Sequence, residues 1–183
     1  MRIGITGVPG TGKTTIAQRI ADIYKMRMVN VKELVEERKL WTHVDTDDMA
    51  KVVNLLALKR ELQELPENCI VESHLICEIQ LPLDKLIVLR TPLPILEKRL
   101  TKRGYDTGKI KSNLYSELLD YCTEKSMLKY KKSGTKIYEV LSIGNLEECI
   151  KDIDKIVKGN GEHLRAPWVD ILKEGTEYQG PAY

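Results

Sequence analysis

Nine residues near the start, Gly7-Val8-Pro9-Gly10-Thr11-Gly12-Lys13-Thr14-Thr15, constrain this chain more than any other stretch. They match G-x-x-x-x-G-K-[ST] at every fixed position. They also lie where that motif requires, between the short apolar run Arg2 to Thr6 and a segment with Ile16, Ile20 and Ile23 on one helical face. Glycines let backbone N–H groups converge on phosphate oxygens with no Cβ in the way, and the helix that follows adds the positive end of its dipole. Lys13 reaches the β- and γ-phosphates, the Thr14 hydroxyl ligates Mg²⁺ and Thr15 bonds the α-phosphate. A plain glycine turn needs neither the lysine nor the hydroxyls. A dinucleotide loop fits worse, because Thr15 stands three positions after Gly12 and such a site has no use for Lys13. The loop therefore implies a Mg-bound nucleoside triphosphate held by Gly10, Gly12, Lys13, Thr14 and Thr15.

The remaining pattern alternates short apolar runs with longer helical ones, the signature of an α/β fold with a parallel sheet. The runs Arg2 to Thr6, Arg27 to Val31, Cys69 to Ser73, Lys85 to Leu89 and Thr135 to Leu141 predict five strands. Helices are expected from the glycine loop to about Tyr24, over Glu33 to Leu40, from Asp47-Asp48 to the Pro66-Glu67-Asn68 turn, and from Pro92 to about Arg103. Two more are expected, a long one from about Ile110 to Tyr130 and a last one over Leu146 to Val157. Gly159-Asn160-Gly161 then reads as a linker to a C-terminal extension over 159–183. There Leu164, Trp168, Ile171 and Leu172 share the face of a possible short helix packed on its own domain.

At 183 residues the chain fits one domain. Lys+Arg 29 against Asp+Glu 27 leaves a formal charge of +2, which gives no electrostatic case for strong direct nucleic-acid binding. The four cysteines form no CxxC pair and have no histidine at metal-ligand spacing, so they read as buried free thiols in a reducing compartment. The first strand begins without a charged and then long apolar leader. No run reaches the ~18 apolar residues of a membrane span, so a cytoplasmic protein without membrane contact is expected.

A phosphate loop needs an acid at the end of a neighbouring strand to hold the metal. Cys69-Ile70-Val71-Glu72-Ser73-His74 supplies Glu72, with His74 two residues on and thus on the same side of an extended chain. Charge balance in phosphoryl transfer also calls for arginines that arrive as the site closes. Arg99 and Arg103 stand four apart on one helix face, just before the Gly104-to-Lys109 break, at a plausible lid hinge.

With these motifs the chain resembles the archaeal and nuclear adenylate kinase family of the isoenzyme-six type, also described as small-subunit ribosome assembly factors. The likeness runs from residue 1 to about 158. It rests on GVPGTGKTT, Val29-Asn30-Val31, the acid-x-His pair Glu72-x-His74, Val88-Leu89-Arg90-Thr91, and Arg99-Leu100-x-x-Arg103-Gly104-Tyr105 followed by Asn113. The resemblance implies a three-layer P-loop NTPase core like that of nucleoside monophosphate kinases, with five parallel strands in the order 2-3-1-4-5. It implies a kinase domain over 1–158, a monophosphate-binding region over 30–48 and a short lid over 103–113. ATP and Mg²⁺ would be the cofactors, with Thr14 and Glu72 on the metal and Lys13, Glu72, His74 and Arg103 at the reaction. Asn30, Arg38 and Asp47 would serve the acceptor. Two features depart from the family pattern: its usual aspartate is Glu72, and the second helix is acidic in its middle with only Arg38 and Lys39 as cations.

Three activities fit this reading. The first is transfer from MgATP to AMP, giving two ADP. The second is an ATPase in which His74 helps position water, working as an ATP-gated assembly factor with a ribosomal protein of the S11 class and the small ribosomal subunit as partners. The third is transfer to another monophosphate such as CMP.

Overall fold

The computed structural model describes residues 1–45 and 51–161. The β-branched runs pair into one parallel sheet: β1 (Arg2–Thr6), β2 (Arg27–Asn30), β5 (Cys69–Glu72), β6 (Lys85–Arg90) and β7 (Lys136–Leu141). Their order across the sheet is β2-β5-β1-β6-β7. Counted along the chain, that is the expected 2-3-1-4-5. Central strands show why the runs are unbroken rather than alternating. Ile3, Ile5, Ile70, Val71, Leu86, Ile87, Val88 and Leu89 are all at most 1% exposed, because helices cover both faces of the sheet.

Helices α1 (Lys13–Tyr24) and α7 (Leu146–Val157) pack on one face, where Ile16, Ile20, Ile150 and Ile153 meet Ile3, Ile5, Ile87 and Leu89. The other face carries α2 (Val31–Arg38), α3 (Leu55–Glu61) and a short 3-10 turn over His74–Cys77. Helices α4 (Leu93–Lys102), α5 (Thr107–Leu118) and α6 (Tyr121–Tyr130) build a third cluster against Val8 and Val88. All four cysteines are free and buried. Among the described residues no helix is long and apolar enough to cross a membrane.

Two expectations are corrected. The expected helix from Asp47-Asp48 to Pro66 is mostly something else. Trp41–Val44 forms β3 and Lys51–Val53 forms β4, an antiparallel pair, and α3 starts only at Leu55. The apolar positions Val52 and Val53 are β-branched and pair with Trp41 and His43, while the Asn54 side-chain Oδ1 caps α3 by accepting from the Ala57 N–H at 3.0 Å. Asp47, Asp48 and Met49 lie outside the described residues, as does the 162–183 tail. The long helix expected over 110–130 is instead α5 and α6, broken at Leu119-Asp120. Asp120 takes a left-handed φ of 53°, and its carboxylate binds Arg90. A tertiary ion pair sits at that break, which helical periodicity does not encode.

Candidate active site

Parallel strands end together, so the loops after β1, β5, β6 and β7 share one edge of the sheet. The phosphate loop leaves β1 there. Gly7, Gly10 and Gly12 hold φ of 138°, 95° and 92°, the region closed to most side chains. At Gly7 a Cβ would stand 2.5 Å from the Leu89 carbonyl oxygen, so glycine is required by packing as well as by φ. Gly12 begins α1 with no side-chain cap, which leaves the first N–H groups of the helix facing the loop. A phosphate group fits that donor set and the glycine-lined cradle around it.

Lys13 folds back over the loop, donating from Nζ to Gly7 O at 2.9 Å and Val8 O at 3.0 Å. Burial lowers its pKa to about 8, with Cys122 and Glu72 pulling the other way and Arg103 adding to the drop. Arg103 therefore lies close enough to the phosphate-loop lysine for the two cations to repel. That arrangement suits a site whose anion joins them. Thr14 Oγ1 donates to Glu72 Oε1 at 3.1 Å. Glu72 is 8% exposed at the end of β5, paired with Ile5 on one side and Asn30 on the other. A hydroxyl beside a buried carboxylate is a hard oxygen donor set, which fits Mg²⁺. The longer Glu72 still reaches Thr14.

His74 opens the 3-10 turn just after Glu72. Burial of the ring and then the neighbouring Lys13 ammonium hold its imidazole below the usual histidine range. The residue as a whole is solvent-exposed, so water screens part of that effect. The direction keeps the ring neutral near pH 7.

Across the loop, Gly10, Gly12, Thr15, Arg99, Arg103 and Asn145 help line a cavity of about 500 Å³. Arg99 closes its wall. Its Nη1 donates to Gly10 O at 3.3 Å, Thr91 Oγ1 at 3.5 Å and Ser142 Oγ at 3.3 Å, tying the phosphate loop to the ends of β6 and β7. Arg103, at the C-cap of α4, stays exposed at the rim.

Residues expected at the acceptor are more scattered. Asn30 stands beside Glu72 at the sheet edge, but its side-chain oxygen is occupied in capping α2 through the N–H groups of Lys32 and Glu33. Arg38 points outward, 4.0 Å from Glu61. Ser142 and Asn145 escaped the sequence reading, although Asn145-Leu146-Glu147-Glu148 carries an N-cap signature that marks the loop after the last strand. The Arg90 cluster was also missed. This arginine, 2% exposed, donates to Glu117 at 2.9 Å and binds Asp120, Glu139 and Thr123, while Glu117 also accepts the Thr91 N–H at 3.0 Å. One charged residue in a buried strand was the available signal.

Comparison with known proteins bears on the family and the fold. Residues 3–120 match the family model described as an AAA domain. A Methanocaldococcus jannaschii protein that carries the provisional name adenylate kinase is 32% identical over 182 residues, covering 97% of both chains. A Schizosaccharomyces pombe protein named adenylate kinase isoenzyme 6 homolog is 30% identical, over 84% of this chain and 88% of its own. Among solved structures, a shikimate kinase from Bacteroides thetaiotaomicron superposes with a TM-score of 0.57 at 18% identity, over 86% of this chain and 98% of its own, and shares the fold. The phosphate loop, the Glu72 edge and these relatives converge: the chain belongs to the adenylate kinase family of the isoenzyme-six type, on a P-loop kinase fold.

Proposed function

We propose that the protein transfers a phosphoryl group from ATP to AMP, giving two ADP. The single observation that carries this reading is the convergence of Lys13, Thr14, Glu72 and Arg103 on one glycine cradle. Mg²⁺, when bound through Thr14 and Glu72, supplies charge neutralisation on the phosphate oxygens. The chain's own groups do the rest. N–H groups at the start of α1 hold the phosphates. Lys13 exchanges its bonds to Gly7 O and Val8 O for the transferred group, and Arg103 swings in from the rim with the 103–113 segment as lid. The acceptor enters from the β2 side, beside Asn30.

A second activity is favoured by one observation. His74 follows Glu72 at the strand end and is held below the usual histidine range by burial and then Lys13, which supports a ring able to accept a hydrogen bond from water and slow hydrolysis of ATP beside transfer. A role in small-subunit assembly rests on the family resemblance alone.

Purified protein with MgATP and a panel of AMP, CMP, GMP and UMP tests the reading. AMP should give the fastest ADP formation, and Lys13→Ala should reduce it by roughly a hundredfold or more. Transfer to CMP above AMP would replace the acceptor. Transfer undiminished in Lys13→Ala would refute the site. In His74→Ala, hydrolysis without a monophosphate should fall while transfer survives, and unchanged hydrolysis would remove His74 from that step.

A further inference from the structure

Two sulfurs lie beside the phosphate loop with no part in the chemistry above. Cys77 closes the 3-10 turn that His74 opens, and Cys122 sits in the first turn of α6. They are 0% and 5% exposed and belong to the same buried cluster, around Val8, Val88 and Leu96. The two segments that carry them are fastened together on both sides. Tyr121, next to Cys122, interacts with the Glu78 carboxylate, next to Cys77, which together with burial raises the Tyr121 phenol above its usual range. Further along, the Tyr130 hydroxyl donates to Ile76 O at 3.0 Å.

Between these two ties the Cys77 and Cys122 thiols share one buried cluster and interact strongly enough to move each other's protonation in opposite directions. Cys77 donates its own proton to His74 O at 3.0 Å, so its sulfur is free to accept from Cys122. Interaction with Cys122 lowers the Cys77 thiol below its usual range against the cost of burial, while Cys77 and burial raise Cys122, so Cys77 is the sulfur that ionises; the Lys13 ammonium lies within electrostatic reach of both. Cys69 and Cys149 belong to the two other buried clusters, away from this pair.

We propose that Cys77 and Cys122 form an oxidation site, in which a hydroperoxide converts the thiol pair to a disulfide and thereby slows chemistry at the adjacent phosphate loop. The Cys77 thiolate attacks the terminal peroxide oxygen, the O–O bond breaks, and the leaving oxygen departs as water, or as an alcohol from an organic peroxide. That leaves a sulfenic acid on Cys77. The Cys122 sulfur then attacks the Cys77 sulfur. The S–O bond breaks and hydroxide takes the Cys122 proton as a second water. In sum, two thiols lose two electrons and two protons to one peroxide.

Bond formation brings the sulfurs from contact to about 2 Å, so one segment has to move toward the other. It also removes the Cys77 proton from His74 O and draws the 3-10 turn away from its seat beside Lys13. The oxidant enters from the Lys13 side, where that lysine is only half-buried, and bound nucleotide covers this route.

The test uses the full chain. Protein is treated with hydrogen peroxide with and without MgATP, free thiols are blocked with N-ethylmaleimide under denaturing conditions, and peptides are mapped unreduced. Trypsin with Glu-C separates Cys69 from Cys77 by cutting after Glu72. The expected product is a Cys77–Cys122 linked peptide lacking two hydrogens, reversed by dithiothreitol and formed more slowly with MgATP. Cys69 and Cys149 should remain fully alkylatable. Blocked, unlinked Cys77 and Cys122 after peroxide would overturn the site, and equal rates with and without MgATP would overturn the route.

The activity arm alone rests on the kinase reading: ADP formation should fall roughly ten- to a hundredfold on oxidation and recover on reduction. Cys122→Ser should resist that loss. A linked peptide with unchanged activity would overturn the coupling, while loss of activity in Cys122→Ser at the parent rate would place the damage elsewhere. Because the peptide map needs no turnover, failure of the acceptor assignment and failure of this proposal are read separately.

Discussion

Replacing Arg90 by methionine isolates the most heavily charged part of the interior. Three carboxylates converge on this guanidinium: Glu117 at 2% exposure, Glu139 at 9% and Asp120 at 15%. Burial alone would lower the Arg90 pKa, but Glu117, Glu139 and Asp120 outweigh it and hold the group firmly charged. Methionine keeps most of the volume and removes the cation on which these three carboxylates converge. Removing one partner of a buried ion-pair cluster in this way costs about 3–5 kcal/mol. For a chain of this size the melting temperature should fall by roughly 6–20 °C.

The pH dependence has a definite sign. Without Arg90 the stranded carboxylates crowd one another in a buried site, and their folded-state pKa values rise above the unfolded values near 4. A raised folded pKa contributes stability at low pH that is lost as pH rises, so the deficit should be smaller near pH 5 than near pH 7.5. Urea unfolding followed by circular dichroism at both pH values measures this, with the slope checked for constancy. Adding Glu117→Gln and Glu139→Gln to Arg90→Met should recover part of the loss at pH 7.5. A deficit below about 1 kcal/mol, or one equal at both pH values, would refute the reasoning.

Gly7→Ala should unfold more easily by several kcal/mol and lose nucleotide binding, because the added Cβ meets the Leu89 carbonyl oxygen at 2.5 Å. Gly12→Ala, with 3.6 Å of room, should show only the strain of its positive φ, about 1–3 kcal/mol. Thermal melts and nucleotide titration separate the two. Lys13→Met should stabilise the nucleotide-free protein by about 1–2 kcal/mol, after discounting for partial exposure of the ammonium. The folded pKa of Lys13 is depressed to about 8 against 10.5, so the gain should be full below pH 8 and fade between pH 8 and 10.5, as urea midpoints across that range would show. Asn145→Ala removes the cap bonds to the Glu147 and Glu148 N–H groups at 3.1 and 3.4 Å, and should cost about 1 kcal/mol in the same urea assay.

Local rules located most of the residues that the fold gathers at the candidate site. The phosphate loop, Glu72 and the Arg99-to-Arg103 helix end each carry their chemistry within a few consecutive residues, where spacing translates directly into geometry. Val52 and Val53 misled for a physical reason. Apolar residues at these positions suit a helix face or a strand equally, and only pairing with Trp41 and His43 decides between them. Ile110 to Tyr130 misled in the same way, since the pattern stays helical on both sides of Asp120 and the break depends on Arg90, thirty residues earlier.

The sequence by itself determined the phosphate cradle, the parallel sheet and the acid that faces it. These follow from glycine's φ freedom, from unbroken β-branched runs and from a carboxylate at a strand end. Tertiary structure decided the rest. It chose which arginine closes the cavity wall, buried Arg90 among three acids and set Cys77 against Cys122 across 45 residues of chain. Contacts between distant segments leave no periodicity in the chain, because they are selected by how helices stack on the sheet and not by the neighbours of either residue.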